Sequence, residues 1–235
     1  MANISFKKNR SLKGDETKMS HPIELTIKNL SIEFDKKSCF FPIEYTFQSG
    51  QITYVTGPSG SGKTTLLSIL GLMQQPSGGT YTINGQNIGV LSKKEQTVLR
   101  RTIIGFLFQE YYLISELSPL ENIILPLLLN QIDKKIAKEK AEEWLEKFQI
   151  NLKKISNNVQ EISGGEKQRL LLIRTLIKNP KIVLMDEPAV HLDQNNRQRY
   201  LKLIQDYIKN SNAIGICATH DQQLVDQSDH EIKLL

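Results

Sequence analysis

The stretch Gly57-Pro58-Ser59-Gly60-Ser61-Gly62-Lys63-Thr64 decides the fold, and Thr65 continues it. It fits the phosphate-loop pattern GxxxxGK[ST]. The preceding residues 52–56 (ITYVT) are typical of a buried strand, and residues 63–72 have the apolar spacing of a helix. An ordinary glycine-rich turn needs neither flank. The arrangement of strand, loop and helix therefore predicts a phosphate-binding site at the start of a helix.

Each part of this loop has a chemical reason. The glycines allow backbone amides to wrap around phosphate groups, and the start of the helix offers unpaired N–H donors. Lys63 is suited to neutralise charge on β- and γ-phosphates, and the Thr64 hydroxyl is a magnesium ligand. We therefore expect residues 57–65 to bind ATP together with Mg2+.

A second motif follows the uninterrupted apolar run Ile182–Met185, where Asp186 and Glu187 stand side by side. Open α/β sheets bind ligands at the carboxyl ends of their strands. We expect Asp186 to hold magnesium through its water shell, and Glu187 to orient or deprotonate the attacking water. The alternative is that the two acidic residues cap the next helix, which the proline directly after them disfavours.

A third motif is Ser163-Gly164-Gly165-Glu166, which opens a segment rich in Leu and Ile. A serine with two glycines at a helix start offers a hydroxyl and free amides, so it predicts a second anion site. The alternative is a simple helix cap. A cap needs only Ser163, and the glycine pair would then be unexplained, since glycine costs about 1 kcal/mol relative to alanine inside a helix.

The rest of the chain supplies the layers of the fold. Alternating apolar positions at residues 23–27 and 30–34 predict antiparallel strands, and Asn84-Gly85 predicts a hairpin. Residues 92 to about 165 are mainly helical in pattern, with Ser118-Pro119-Leu120-Glu121 as a helix start. Strands then alternate with helices, which implies a parallel sheet.

In residues 162–169 (ISGGEKQR) the sequence closely resembles the signature of ATP-binding cassette (ABC) ATPases. The resemblance extends over roughly residues 23–235. It implies an α/β fold with a P-loop NTPase (RecA-like) core, an antiparallel β subdomain and an inserted α-helical subdomain at about 92–165. It also implies that the signature closes over the γ-phosphate held by a second copy of the chain, giving an ATP-sandwich homodimer. Residues 1–22 are expected to be a flexible polar tail.

The resemblance implies further site residues. Gln109 matches the glutamine expected to touch magnesium and the attacking water. His220, in Ala-Thr-His-Asp, matches the switch histidine expected to contact the γ-phosphate. Phe34 matches an aromatic that stacks on adenine. In isolation a glutamine after a strand usually has no role, a histidine is more often structural, and Phe34 is also suited to the core.

One loop departs from the family pattern. The family continues after Glu187-Pro188 with Thr or Ser, a small residue and then Leu-Asp, whereas this chain has Ala189-Val190-His191 before Leu192 and Asp193. Leu192 and Asp193 match the loop that communicates between the two ATP sites, but the hydroxyl is missing. Glu166 in place of the commonest glutamine is a milder departure.

Residues 104–109 and 119–127 resemble the bacterial lipoprotein-releasing and macrolide-exporting ATPases. This implies an integral membrane permease as a separate partner, and a peripheral position on the cytoplasmic side of the bacterial inner membrane. Tyr111, Tyr112 and the apolar residues 123–129 are candidates for contact with that permease. The alternative for the aliphatic residues is packing inside the helical subdomain.

Composition adds weak limits. The 235 residues carry a net charge of +5, and the two cysteines lie far apart in sequence, which suits a reducing cytosol. The longest apolar stretch is too short to span a bilayer, and we expect no nucleic-acid partner. The rival functions are the ATPase of an ABC importer, a non-transport ABC regulator, and a P-loop kinase. A kinase would leave Ser163 and His220 without a role.

Overall fold

The computed structural model describes residues 22–34, 37–190, 192–226, 228 and 230–234. The strands are β1 (Leu25–Phe34), β2 (Lys37–Phe47), β3 (Ile52–Thr56), β4 (Gly78–Ile83), β5 (Gln86–Asn87), β6 (Ile104–Leu107), β7 (Ile182–Asp186), β8 (Ile214–Ala218) and β9 (Glu231–Lys233). The helices are α1 (Lys63–Leu70), α2 (Lys93–Thr102), α3 (Pro119–Leu129), α4 (Lys134–Lys147), α5 (Gly164–Leu176), α6 (Gln194–Ser211) and α7 (Gln222–Val225). Residues 1–21 of the expected tail lie outside the described residues.

A parallel sheet in the order β6-β7-β8-β3-β9 forms the centre of the fold. Strands β7 and β8 are buried along their whole length, and since successive side chains point to opposite sides, both of their faces are covered. In β7, Ile182 and Leu184 pack with α1 and the antiparallel sheet. Val183 and Met185 pack with α5 and α6 instead. The expected parallel sheet is confirmed, and it brings the carboxyl ends of β3, β6, β7 and β8 to one edge.

The antiparallel sheet has the order β2-β1-β4-β5, which confirms the antiparallel layer. The hairpin at Asn84-Gly85 is also confirmed, and both residues have positive φ, 48° and 75°. The two strands expected at residues 23–27 and 30–34 are in fact one strand, β1. Its pairing register shifts between Lys28 and Leu30, and Asn29 there has a φ of 47°. A bulge at this point therefore returns the apolar side chains to the inward face of the sheet without ending the strand.

Helices α3, α4 and α5 pack against one another, and α5 also contacts β6 of the parallel sheet. Ser118 and Glu121 form the expected capping box at the start of α3. On α4 the buried residues are Ala137, Ala141 and Leu145. The strand β6 also lies within the range 92–165 and belongs to the parallel sheet. Among the described residues, no helix combines the length and the apolar character that a bilayer crossing requires.

Candidate active site

The loop between β3 and α1 takes, at several points, a backbone conformation that favours glycine. Gly57, Gly60 and Gly62 have φ values of 146°, 82° and 93°. A Cβ atom on Gly57 would also lie 2.5 Å from the Leu234 carbonyl oxygen. Among the described residues no side-chain hydrogen bond caps α1, which leaves its first amides open to an anion.

Lys63 folds back over this loop. Its Nζ atom donates to the carbonyl oxygens of Gly57, at 2.8 Å, and Pro58, at 3.0 Å. The loop is closed on itself by a further hydrogen bond from the Ser61 amide to the Pro58 carbonyl, at 3.2 Å. The ammonium group is therefore held at the mouth of the loop, where it is placed to meet phosphate oxygens.

Thr64 joins the loop to β7. Its hydroxyl donates to Oδ2 of Asp186 at 2.8 Å. Asp186 is 8% exposed. Burial, and to a lesser extent the neighbouring charge of Glu187, raises the pKa of Asp186, while the Thr64 hydrogen bond and Lys63 oppose that shift. A nearby cation would therefore stabilise the charged form of the Asp186 carboxylate.

The oxygen atoms of Thr64 and Asp186 fit a magnesium ion. Mg2+ prefers oxygen ligands, keeps several waters, and is usually held by one or two carboxylates together with substrate phosphates. In the described part of the chain no group of three or more His, Cys, Asp or Glu side chains is placed to hold a metal. A site that the phosphates of a nucleotide complete suits this donor set.

Glu187 follows β7 and is held by the strand beside it. Its backbone amide donates to the Ala218 carbonyl at 3.0 Å. Nδ1 of His220 lies 2.6 Å from Oε1 of Glu187, and the His220 amide donates to the same oxygen at 3.0 Å. The Thr219 hydroxyl donates to Oε2 at 3.1 Å. Both carboxylate oxygens therefore have fixed partners.

These residues surround one cleft of about 500 Å³. It is lined by Gly57, Ser59, Gly60, Gly62, Lys63, Thr64, Thr65, Gln109, Asp186, Glu187 and His220. Gln109 reaches the cleft because it follows β6, which pairs with β7. The structure thus brings the loop, both acidic residues, Gln109 and His220 to one edge of the sheet. A nucleotide's phosphates and an attacking water fit this set of groups.

The signature residues lie elsewhere in the chain. Ser163 caps α5, and Glu166 completes a capping box with it. Ser163, Gly164, Gly165 and Glu166 are absent from the lining of the cleft described above. The Tyr111 hydroxyl lies 3.2 Å from where a Cβ on Gly164 would stand, so a larger residue there would press on Tyr111. Within one chain, the first and third motifs are not brought together.

The loop after Glu187 is only partly described. Ala189 is buried, Val190 is 41% exposed, and His191 lies outside the described residues. Asp193 accepts from the Asn196 amide at 3.1 Å at the start of α6. Leu192 lies 3.8 Å from where a Cβ on Gly165 would stand. The loop therefore contacts the signature helix in the same chain.

Two sequence-based expectations gain detail. The backbone of Phe34 ends β1, but its side chain lies outside the described part of the structure. Of the aliphatic residues suggested for a permease contact, Ile123, Ile124 and Leu127 are buried in the core, and Leu129 is 57% exposed. Internal packing thus accounts for most of that cluster.

Sequence reasoning missed three residues around this site. Thr219 was seen only as part of Ala-Thr-His-Asp, although it donates to Glu187. Arg197 on α6 forms an ion pair with Asp221, which follows His220. Gln168 on α5 donates to the Pro188 carbonyl. The quoted motifs contain Thr219, Gln168 and Asp221, the partner of Arg197. No rule of sequence spacing, however, indicates which distant residues they contact.

Comparison with known proteins gives consistent results. The family model described as "ABC transporter" matches residues 40–190. The lipoprotein-releasing system ATP-binding protein LolD of Ehrlichia chaffeensis is 39% identical over 80% of this chain and 80% of that protein. LolD of Buchnera aphidicola is 36% identical over 88% of this chain and 92% of that protein.

Two solved structures have the same fold. One is a dimeric structure of a post-hydrolysis state of the ATP-binding cassette MJ0796 bound to ADP and Pi; it has a TM-score of 0.80 and 28% identity. The other is a dimeric structure of MJ0796, described as a bacterial ABC transporter cassette, with the same TM-score of 0.80. Each covers 89% of this chain and is itself covered over 94% of its length.

Proposed function

The chain belongs to the ABC transporter family and is the ATP-binding, ATP-hydrolysing subunit of such a transporter, and we propose how this subunit works. Two copies enclose two ATP molecules head to tail, and their closure drives a separate integral membrane subunit. One observation carries the proposal. The cleft gathers Lys63, Thr64, Asp186, Glu187 and His220, whereas the signature serine lies outside it.

Within the cleft, Glu187 is proposed to position the attacking water and take its proton. The three donors from Thr219 and His220 fix the orientation of the carboxylate. The His220 side chain is 69% exposed while that of Glu187 is 13% exposed. The exposed imidazole would exchange its contact with Oε1 of Glu187 for the γ-phosphate, while the His220 amide and the Thr219 hydroxyl keep holding the carboxylate.

Thr64, Asp186 and Gln109 are the residues that would hold magnesium. A bound magnesium ion supplies charge neutralisation between the β- and γ-phosphates. Thr64 would offer its hydroxyl oxygen, Asp186 its buried carboxylate, and Gln109, which also lines the cleft, the oxygen of its side-chain amide. As a ligand Thr64 would use its hydroxyl oxygen, whose proton is donated to Asp186.

Ser163, Gly164 and Gly165 are proposed to complete the ATP site of the partner copy. They lie at the start of α5, where the amides and the serine hydroxyl suit a phosphate. The similarity to dimeric cassettes supports the proposal that two copies of this chain form a homodimer. Lys63 of one copy would then face Ser163 of the other across the nucleotide.

The membrane partner and the process are inferred from relatives. Two similar proteins are named as ATP-binding proteins of a lipoprotein-releasing system. We propose a similar role here, with the chain held at the cytoplasmic side of a bacterial inner membrane by its permease. Of the two tyrosines expected at this contact, Tyr111 is partly buried against the core, whereas Tyr112 is 58% exposed and the nearby Ile114 is 38% exposed. This pair is our candidate contact with the permease.

Purification from native membranes tests this proposal. The tagged wild-type chain should co-purify with an integral membrane protein after detergent extraction. Tyr112→Ala should lose that protein while ATP hydrolysis stays within about twofold, since exposed substitutions rarely perturb the fold. Val90→Ala, at a 78% exposed apolar residue, is the control. Equal loss of hydrolysis and of co-purification in Tyr112→Ala would contradict the contact.

A further inference from the structure

A buried hydrogen bond joins the signature helix to the turn that carries Glu187. Gln168 lies on α5, which Ser163 caps, and is 2% exposed. Its Nε2 atom donates to the carbonyl oxygen of Pro188, the residue directly after Glu187. One side chain thus connects the helix of one motif to the backbone of another.

The Glu187 turn needs such support. Glu187 has a φ of 46°, in the left-handed region that non-glycine residues adopt at a cost of about 1–2 kcal/mol. Residues in such conformations persist when their surroundings hold them. On one side the Glu187 amide donates to the Ala218 carbonyl at 3.0 Å. Pro188 has no N–H, so its carbonyl is the backbone group through which the other side can be held.

We propose that Gln168 is a positioning residue for ATP hydrolysis. Resting on the proposed head-to-tail dimer, the inference is that closure of Ser163 on the partner's nucleotide moves α5, and that Gln168 passes this movement to the Glu187 turn. Each copy would then align its own Glu187 only when its signature helix is engaged. Within one chain, the contact would couple the ATP site that receives its signature helix to the ATP site that receives its Glu187.

A glutamine donor is needed for this role. Gln168→Met keeps the length and the apolar stem but removes the N–H donor, and it leaves the buried Pro188 carbonyl without its partner. The turn can then relax, and Glu187 shifts relative to the attacking water. Small misplacements of reacting groups lower rates steeply.

A purely structural role predicts a different result, and the chain offers a matched control. Gln96 on α2 is 5% exposed, and its Nε2 atom also donates to a backbone carbonyl, that of Leu91, at 3.1 Å. It is absent from the lining of the cleft. Gln96→Met therefore removes the same kind of hydrogen bond without touching the Glu187 turn.

The first measurement is steady-state ATP hydrolysis well below the melting temperature. Gln168→Met should lower kcat roughly tenfold and leave the KM for ATP within about twofold, whereas Gln96→Met keeps the wild-type kcat. Gln168→Met with the kcat of the control would overturn the inference. Glu187→Gln is assayed alongside. If it hydrolyses ATP like the wild type, the role assigned to Glu187 fails, and this inference fails with it.

The second measurement separates positioning of Glu187 from damage to the signature helix. In the Glu187→Gln background, which cannot complete hydrolysis, ATP should still produce a dimer when Gln168→Met is added, with an ATP midpoint within about twofold. Loss of the dimer on adding Gln168→Met would show that Gln168 serves nucleotide closure itself, and the inference would be wrong. Absence of a dimer in Glu187→Gln alone would overturn the proposed function.

Discussion

The imidazole Nδ1 of His220 lies 2.6 Å from Oε1 of Glu187. The same carboxylate accepts from the His220 amide at 3.0 Å and from the Thr219 hydroxyl at 3.1 Å. Backbone and side chain of one residue therefore act on the same oxygen, and the neighbouring threonine holds the other. The His220 amide and the Thr219 hydroxyl thus hold one carboxylate oxygen each, without the imidazole.

Replacing His220 should affect the rate far more than replacing Thr219. His220→Ala removes the imidazole but keeps the backbone donor, and we expect kcat to fall by about 100-fold, in the range of a lost donor to the charge that develops in the transition state. Thr219→Val removes one hydrogen bond to the Glu187 carboxylate and leaves the others in place, and we expect a loss of about fivefold. Steady-state kinetics of both variants decide this. Equal losses would show that orientation of the carboxylate is the whole contribution of His220.

Asp186→Asn should make the nucleotide-free protein more stable and abolish magnesium-dependent hydrolysis. Burial raises the pKa of Asp186, so the folded state holds its proton more tightly than the unfolded state. The charged form is then a cost to folding that grows as pH rises from the unfolded pKa through the folded one. Thermal unfolding without nucleotide should show a higher Tm for the variant at neutral pH.

The pH dependence checks the sign of that prediction. Below the ordinary carboxyl pKa both states of the wild type carry the proton, so the gain in Tm should disappear there. Asp206→Asn, on α6 and exposed, is the control and should show no such gain. A gain that grew toward acid pH would contradict the assignment.

Lys178 should make stability rise with pH in the alkaline range. Burial lowers the pKa of Lys178 from 10.5 to about 8, and its Nζ atom donates to the Arg100 carbonyl at 2.7 Å. Between these two values the unfolded chain keeps a proton that the folded chain has released, so stability from this group increases with pH. Urea unfolding should show the wild type gaining on Lys178→Met across that window. Lys94→Met, at an exposed lysine, should show no such trend.

Local patterns in the sequence predicted much of the fold. The strand, glycine loop and helix around Lys63, the Asn84-Gly85 hairpin and the capping box at Ser118 depend on neighbouring residues and are seen in the structure. The placement of Asp186 and Glu187 at the carboxyl end of β7 follows from the parallel sheet. These features were predictable because short-range geometry determines them.

Other features depend on contacts between distant residues. The single strand β1 was expected as two, since a bulge at Asn29 changes the inward side without a turn residue to mark it. The hydrogen bonds from Thr219 to Glu187 and from Gln168 to Pro188 join residues far apart in sequence. The sequence could not show whether Ile123 faces the core or a partner, because both environments are apolar.

The central claim is that Ser163 of one copy closes on the ATP held by Lys63 of the other. It implies that Glu187→Gln, which binds ATP without completing hydrolysis, accumulates as a dimer. It also implies that blocking the signature prevents the dimer without preventing nucleotide binding. Ser163→Arg places a large side chain at the start of α5 while leaving the phosphate loop of its own chain intact.

The most direct measurement is therefore the molar mass of Glu187→Gln by light scattering with saturating ATP, with and without the added Ser163→Arg change. The account predicts a doubled mass for Glu187→Gln with ATP, and a monomer that still binds ATP once Ser163→Arg is added. A monomeric Glu187→Gln at saturating ATP, or a dimer that Ser163→Arg leaves unchanged, would contradict it.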